Sequence, residues 1–338
     1  MKVRLKDIAQ EAGVSVATVD RVLNKRPGVH SRTASQVLRV MQRLGGEGPD
    51  LGEQPPTRPL ALDFVLPAGT NTFIDMLDRH IVEGARQWRD GMVAVRVCRI
   101  PGFDPAGLAA TLLDAGKDSD GIGFIAIDHP VVREAVNDLE RAGTPVVTLL
   151  SDVAATRRRA YVGTDNRAAG RTAGYLLGRF LPRPAGKVAM LCGSLSYRGH
   201  QEREMGFRHV LAEEFPGLDV VGLSEVQDDL AQSHVRARDL LADHPDLVGI
   251  YNIGGGNRGV AQALREAGRA KDIVFIGHDL TEHTRRFLID GTMDAAINQD
   301  VAAEATHAIR LLAAAARGHE EPAPPPVRIE VFLRENLP

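Results

Sequence analysis

Leu5, Ile8, Ala9 and Ala12 recur at i, i+3, i+4 and i+7, the spacing that lines one face of an α-helix. Gly13 follows, a residue suited to the left-handed position just past a helix end. Ser15 is placed to cap a second helix in which Val19, Val22 and Leu23 face inward and Val16, Ala17, Asp20, Arg21 and Asn24 face outward. A third apolar face, Val37, Val40, Met41 and Leu44, predicts another helix with Ser31 or Thr33 as its N-terminal cap. Three such helices enclose one small core. The first two, joined by Gly-Val-Ser, read as a helix-turn-helix whose outward side chains can enter a major groove; the plainer alternative is a helical hairpin with a solvated polar face.

Residues 44–59, LGGEGPDLGEQPPTRP, hold four Gly and four Pro in sixteen positions, too many for a helix of any length, so 45–59 reads as a linker between domains 1–44 and 60–338. Beyond it the period changes. Apolar strand-like runs (LALDFVL, VAVRVCRI, GIGFIAI, PVVTLL, KVAMLC, LDVVGL, LVGIYNI, IVFIGHD) alternate with helical patterns, which predicts an α/β body with parallel sheets. Nearly 280 residues exceed one compact sheet domain, and a restart at Gly186-Lys187 after the helix spanning 166–181 divides the body into two doubly wound lobes with a cleft between them.

Charge adds a direction to this plan. Residues 1–43 carry nine Lys or Arg against Asp7, Glu11 and Asp20, a net of +6, while the whole chain is −3 and the remainder therefore −9. A basic head on an acidic body is what phosphate binding at one end alone requires. The two cysteines, Cys98 and Cys192, make no CxxC or metal-ligand spacing and are expected to be reduced thiols. MKVRLKDIAQ has no apolar h-region, and no stretch reaches the about 18 apolar residues of a membrane span. A cytoplasmic location is expected, and a transport receptor, which needs a signal peptide, is not.

The string LKDIAQEAGVSVATVDRVLN, followed by PGVHSRT, resembles the N-terminal domain of the LacI/GalR family, without gaps from Leu5 to about Leu44. The resemblance implies that Val16, Ala17 and Arg21 read bases and that Ser15, Thr18, Asn24, Ser31 and Thr33 contact the DNA backbone. The chemistry agrees, since Arg21 can pair bidentately with guanine while Val16 and Ala17 can meet a thymine methyl. Asp20 stands where the family more usually has Ser; a carboxylate there either accepts from a cytosine amino group or repels phosphate. The family's hinge helix, with its Leu inserted in the minor groove, has no counterpart in the linker, where Leu51 lies between Asp50 and Gly52.

The body is similar to periplasmic-type sugar-binding proteins in YVGTDNRAAG, EREMGF, YNIGGGNRG and GHDLT. In that fold the chain crosses between lobes three times, which implies lobes of about 60–165 plus 298–320 and 166–297 plus 321–338. Ligands in such sheets bind beyond the carboxyl ends of the strands. Asn71, Phe73, Asp128, Asp152, Asn252 and Asp279 follow strand-like runs, with Arg203 in a helix and Gln299 after MDAAIN; the resemblance matches Arg203, Asn252, Asp279 and Gln299 to sugar-contacting positions, and Asp128 and Asp152 by their loops. Carboxylates, amides and an Arg fork suit vicinal hydroxyls, and Phe73 suits the apolar face of a ring.

The expectation is a dimeric, ligand-responsive regulator: a repressor that binds an inverted-repeat operator in double-stranded DNA and is controlled by a small neutral sugar or polyol, with no cofactor, metal or membrane. A second possibility comes from Gly254-Gly255-Gly256-Asn257-Arg258-Gly259, a GxGxxG after a strand that is a dinucleotide fingerprint on paper and would suit an NAD-binding oxidoreductase. His278, Asp279 and His283 lack zinc spacing, and Ser194, Ser196 and His200 lack a GxSxG elbow, so no other catalysis is expected.

Overall fold

The computed structural model describes residues 4–24, 26, 29, 31–44, 59–88, 93–183 and 185–338. Residues 45–58 lie outside these, and with them the readings of the linker and of its absent hinge helix. In the head, α1 (Leu5–Glu11), α2 (Val16–Leu23) and α3 (Ser31–Arg43) close over Ile8, Ala12, Val19, Val22, Val37 and Met41. Gly13 takes φ +63° at the end of α1, and Ser15 Oγ accepts the Thr18 amide at 3.1 Å to start α2. Gln36 Nε2 donates to the Ala12 carbonyl at 2.9 Å and ties α3 to α1.

Three details of the head differ from the sequence reading. Leu5 and Leu44, expected inside, are each 39% exposed. Leu44 lies past the end of α3, whose thirteen residues run about 20 Å while α1 and α2 are each about half that length, so its last turn overhangs the core. Thr33 is the third residue of α3 and so cannot cap it; Ser31 opens the helix, its side chain lying outside the described set.

The first lobe contains β1 (Leu60–Ala68), α4 (Thr72–Arg86), β2 (Val93–Pro101), α5 (Pro105–Ala115), β3 (Gly121–Phe124), α6 (Pro130–Ala142), β4 (Val146–Leu149) and β5 (Ala160–Val162). Its sheet runs β2-β1-β3-β4-β5, with every pairing parallel. The second lobe contains α7 (Asn166–Phe180), β6 (Ala185–Cys192), α8 (Arg198–Glu214), β7 (Gly217–Glu225), α9 (Leu230–Asp243), β8 (Leu247–Asn252), α10 (Asn257–Glu266), β9 (Val274–His278), α11 (Glu282–Asp290) and β10 (Ala295–Gln299). Then α12 (Val301–Ala316) returns to the first lobe, burying Ala308, Ile309 and Leu312 in its core, and β11 (Ile329–Phe332) goes back to the second.

The second sheet, β11-β10-β9-β8-β6-β7, is parallel except at one edge, where β11 pairs antiparallel to β10. The parallel sheets expected from the sequence are present, with this one antiparallel edge added. The chain after α12 contains Pro322, Pro324, Pro325 and Pro326, which bar a crossover helix, so it comes back as extended coil and enters the sheet from the opposite end. On the way the Val327 amide donates to the Gly163 carbonyl at 2.9 Å. The first crossing, near residue 163, and the last therefore lie side by side. β5 and β11 are short strands that the pattern of apolar runs did not mark.

In both lobes the strand order reverses, between β1 and β3 in one and between β6 and β8 in the other. Each reversal opens a crevice beyond the carboxyl ends of those strands, and the two crevices face one another.

Candidate ligand cleft and nucleic-acid interface

The cleft is floored by Arg203, 95% buried on α8. Its Nε donates to Asn166 Oδ1 at 2.7 Å and its Nη1 to the Ile253 carbonyl at 2.9 Å. The helix carrying it lies against α7 so closely that a Cβ on Gly170 would stand 1.9 Å from the Arg203 carbonyl oxygen. Close helix approach thus fixes the guanidinium.

Asp279 follows β9 with φ +68°, a left-handed backbone rare outside glycine and asparagine. It is held there because its amide donates to the Ile297 carbonyl at 2.9 Å and its carbonyl accepts Thr284 Oγ1 at 2.7 Å. Its Oδ1 accepts Gln299 Nε2 at 3.0 Å. Burial pushes this carboxyl up to about 6, against the opposing pull of Arg203 and of the Gln299 hydrogen bond. Gln299 Oε1 is buried with no partner among the described residues, so the site presents an unsatisfied acceptor beside a carboxyl that burial makes less acidic.

Beneath them Glu304, in the first turn of α12, is fully buried, and among the described residues neither carboxyl oxygen has a hydrogen-bond partner. Burial, reinforced by Asp279, holds its carboxyl well above the usual range. His278 and His200 are buried as well, and desolvation lowers both imidazoles. His278 Nε2 lies 2.7 Å from Tyr251 Oη. Burial therefore favours the neutral forms of Asp279, Glu304, His200 and His278.

Asn71, Phe73, Arg203, Asp279 and Gln299 line one cavity, together with Tyr197, His200 and Asp228. Its mouth is shut by contacts between lobes: Asn71 Nδ2 donates to Asp228 Oδ2 at 3.4 Å, and Thr70 Oγ1 accepts the Leu230 amide at 3.1 Å.

The glycine loop 254–259 belongs to this closure. The Gly255 amide, which a pyrophosphate would need, donates to Asp228 Oδ1 at 2.6 Å. A Cβ on Gly254 would lie 2.5 Å from the same oxygen. The protein's own carboxylate thus occupies the anion position of the fingerprint.

In the head, Val16, Ala17 and Arg21 are exposed on the outer face of α2. Asp20 turns sideways: its Oδ1 accepts Asn24 Nδ2 at 2.8 Å and its Oδ2 pairs with Arg26 at 3.4 Å. Among the described residues no acid pairs with the Arg21 guanidinium.

Residues 4–45 match the family described as bacterial regulatory proteins, lacI family. Residues 63–320 match the periplasmic binding protein domain family. The chain belongs to the periplasmic binding protein domain family, headed by a lacI-family domain. Catabolite control protein A of Priestia megaterium is 27% identical over 215 residues, 63% of this chain and 62% of that one. The HTH-type transcriptional regulator MalR of Streptomyces coelicolor is 32% identical over 173 residues, 50% of this chain and 48% of that one. The alignments thus span about half to three fifths of these relatives. A solute-binding protein from Burkholderia graminis, in complex with D-arabinose, superposes with a TM-score of 0.77 at 25% identity, covering 84% of this chain and 98% of that one.

Within this lacI-headed periplasmic-binding-protein chain, three residues singled out from sequence lie apart from the cavity wall. Asp128 pairs with Arg133 at 2.6 Å, and Asp152 is engaged by Arg158, by Thr148 Oγ1 and by the Val153 amide. Asn252 is wholly buried, its Nδ2 donating to the Gly255 carbonyl and to Asn257 Oδ1, each at 2.8 Å, so it shapes the glycine loop from behind.

Asp228 and Glu304 escaped the sequence reading. Asp228 sits in a polar turn where it looks solvated, and Glu304 looks like an ordinary acid at a helix start. His200, Gly254 and Gly255 were noted from sequence, but for other chemistry. Among the described residues no cluster of metal-ligating side chains occurs, and no helix is long and apolar enough to cross a membrane.

Proposed function

We propose that this protein is a cytoplasmic transcriptional regulator, acting as a repressor, whose head reads an inverted-repeat operator and whose cleft binds a small sugar or polyol. The observation that carries the first half is Arg21, exposed on α2 with no acid among the described residues engaging it, between a helix start fixed by Ser15 and a neighbouring Asp20 drawn aside by Asn24 and Arg26. A guanidinium held that way is available for a guanine edge, while Val16 and Ala17 suit a thymine methyl. Ser15, Thr18, Asn24, Ser31 and Thr33 are assigned to the DNA backbone. A palindromic site calls for two heads, hence a homodimer.

The second half is supported by the gathering of Asn71, Arg203, Asp279 and Gln299 around one cavity, a donor and acceptor set matched to vicinal hydroxyls. The relatives named as regulators, and the structural neighbour solved with D-arabinose, point the same way. Because the closed cleft ties the lobes together, a ligand that prefers one lobe arrangement shifts how the paired heads are spaced. This reading assigns the cleft to binding and no reaction to the chain. The oxidoreductase alternative is disfavoured because Asp228 fills the place a pyrophosphate would take.

The test is selection of duplex DNA from a random pool by the purified full chain, followed by binding at several salt concentrations with and without a panel of sugars and polyols. A palindrome bound with steep salt dependence and released by a panel member is the expected result. Failure to enrich any palindrome removes the DNA half; enrichment without any effect of the panel removes the sugar half.

A further inference from the structure

The two walls of the cleft are chemically unlike. From the second lobe come Tyr197, His200, Arg203, Asp228, Asp279 and Gln299; from the first come Pro67, Phe73, Ile74, Ile125 and Leu150. Among the described residues two polar side chains, Asn71 and Ser151, line the first-lobe wall, and both make contacts to the second lobe. Asn71 Oδ1 accepts the Phe73 amide at 3.1 Å while its Nδ2 reaches Asp228. Ser151 Oγ accepts the Gly199 amide at 3.4 Å.

Leu150 makes the asymmetry more pointed. It stands at φ +58°, a left-handed backbone that glycine or asparagine adopts far more readily than a branched side chain. Its amide donates to the Val162 carbonyl at 3.1 Å, and its carbonyl accepts Tyr161 Oη at 3.1 Å and Asn166 Nδ2 at 3.2 Å. Three bonds from three residues hold the strained conformation, and Leu150 lines the cavity. Backbone strain at a ligand wall is a signature of function. On the second-lobe wall Gln299 Oε1 is a buried acceptor with no donor among the described residues.

We propose that the effector is a deoxy sugar. It is hydroxylated along the edge that meets Arg203, Asp279 and Gln299, and it carries C–H or methyl groups along the edge that meets Phe73, Ile125 and Leu150. Leu150 sets this selectivity. The inference rests on the reading of the cleft as a sugar or polyol site. A fully hydroxylated ring bound there leaves one hydroxyl facing carbon with no partner, and loses affinity for that reason.

The experiment is calorimetric titration of the full chain with matched pairs: 6-deoxy-L-galactose against L-galactose, 6-deoxy-L-mannose against L-mannose, and 2-deoxy-D-ribose against D-ribose. At least one deoxy member is expected to bind about tenfold or more tighter than its parent, the scale on which an apolar pocket discriminates one group. Leu150→Asn, compatible with the left-handed backbone, should shrink that gap about tenfold, while Leu150→Met should keep it. Parents that bind as well as or better than their deoxy partners in every pair overturn the inference and leave the sugar reading standing. No binding by any member removes that reading and the inference with it. A gap unchanged in Leu150→Asn overturns the role of Leu150; if that variant does not fold, the wild-type pairs decide.

Discussion

The amide of Gly255, at the N-terminal approach to α10, donates to Asp228 Oδ1 at 2.6 Å, and the other oxygen of that carboxylate receives Asn71 from the opposite lobe at 3.4 Å. Asp228 itself stands at φ +53°. One strained aspartate thereby turns a glycine loop into half of a latch across the cleft.

Asp228→Ala should open this latch. A charge-assisted hydrogen bond and its interlobe partner are lost, so unfolding stability should fall by about 1–3 kcal/mol, and small-angle scattering of the ligand-free protein should give a larger radius of gyration. An unchanged radius would mean that other contacts keep the lobes together.

Arg21→Ala should leave the head folded, because the side chain is exposed on α2. It should cost about 1–3 kcal/mol of discrimination at one base pair per half-site. Binding to single-base variants of a selected operator measures this, and equal selectivity in both proteins would reassign the base-reading role.

The buried Asp279 imposes a pH dependence with a definite sign. Its carboxyl lies near 6 in the folded chain against an ordinary 3.8, so the native state holds its proton more tightly than the unfolded state. The stabilisation is complete below about pH 4 and disappears as pH rises through 6, a change of about 3 kcal/mol at most. Glu304, raised by the same burial, acts in the same direction. Between pH 4 and 8 urea midpoints should fall more, or rise less, in wild type than in Asp279→Asn, which keeps the left-handed backbone and has no proton to lose, while His200 and His278, lowered by burial, act in the opposite direction in both proteins.

Gln299→Ala should abolish the ligand-induced rise in melting temperature while operator binding persists, since Gln299 lies on the cavity wall in the body. Arg203→Ala should do the same and also destabilise the body by about 2–5 kcal/mol, because Asn166 Oδ1 and the Ile253 carbonyl lose a buried charged donor. A normal thermal response to the effector in Gln299→Ala would exclude it from the site.

Gly170→Ala tests how the guanidinium is positioned. The added methyl meets the Arg203 backbone at 1.9 Å, so α7 and α8 must separate, and stability should fall by about 1–3 kcal/mol or more. A variant as stable as wild type, by denaturant midpoint, would show that the helices have slack.

Helix spacing, the Ser15 cap and the glycine ending α1 were legible in residues 5–24 because each depends on neighbours within one or two turns. The run of Val and Ile strands separated by helical patterns likewise announced two doubly wound lobes, and strand ends named Asn71, Phe73, Asp279 and Gln299 as cavity residues. Asp128 and Asp152 looked equivalent in the sequence. What separated them from the cavity was the presence of Arg133 and Arg158, which satisfy the carboxylates locally.

Sequence by itself determined the local periods, the basic head on an acidic body and the strand termini at which a ligand can sit, since these follow from side-chain chemistry read along the chain. Tertiary structure alone decided that Asp228 would close the glycine loop, that Glu304 would be buried without a partner, that Leu150 would be held left-handed against the cavity and that β11 would run backwards. Each of those depends on groups brought together from distant parts of the chain, and the energy of burying or pairing a polar atom is set by what surrounds it in space.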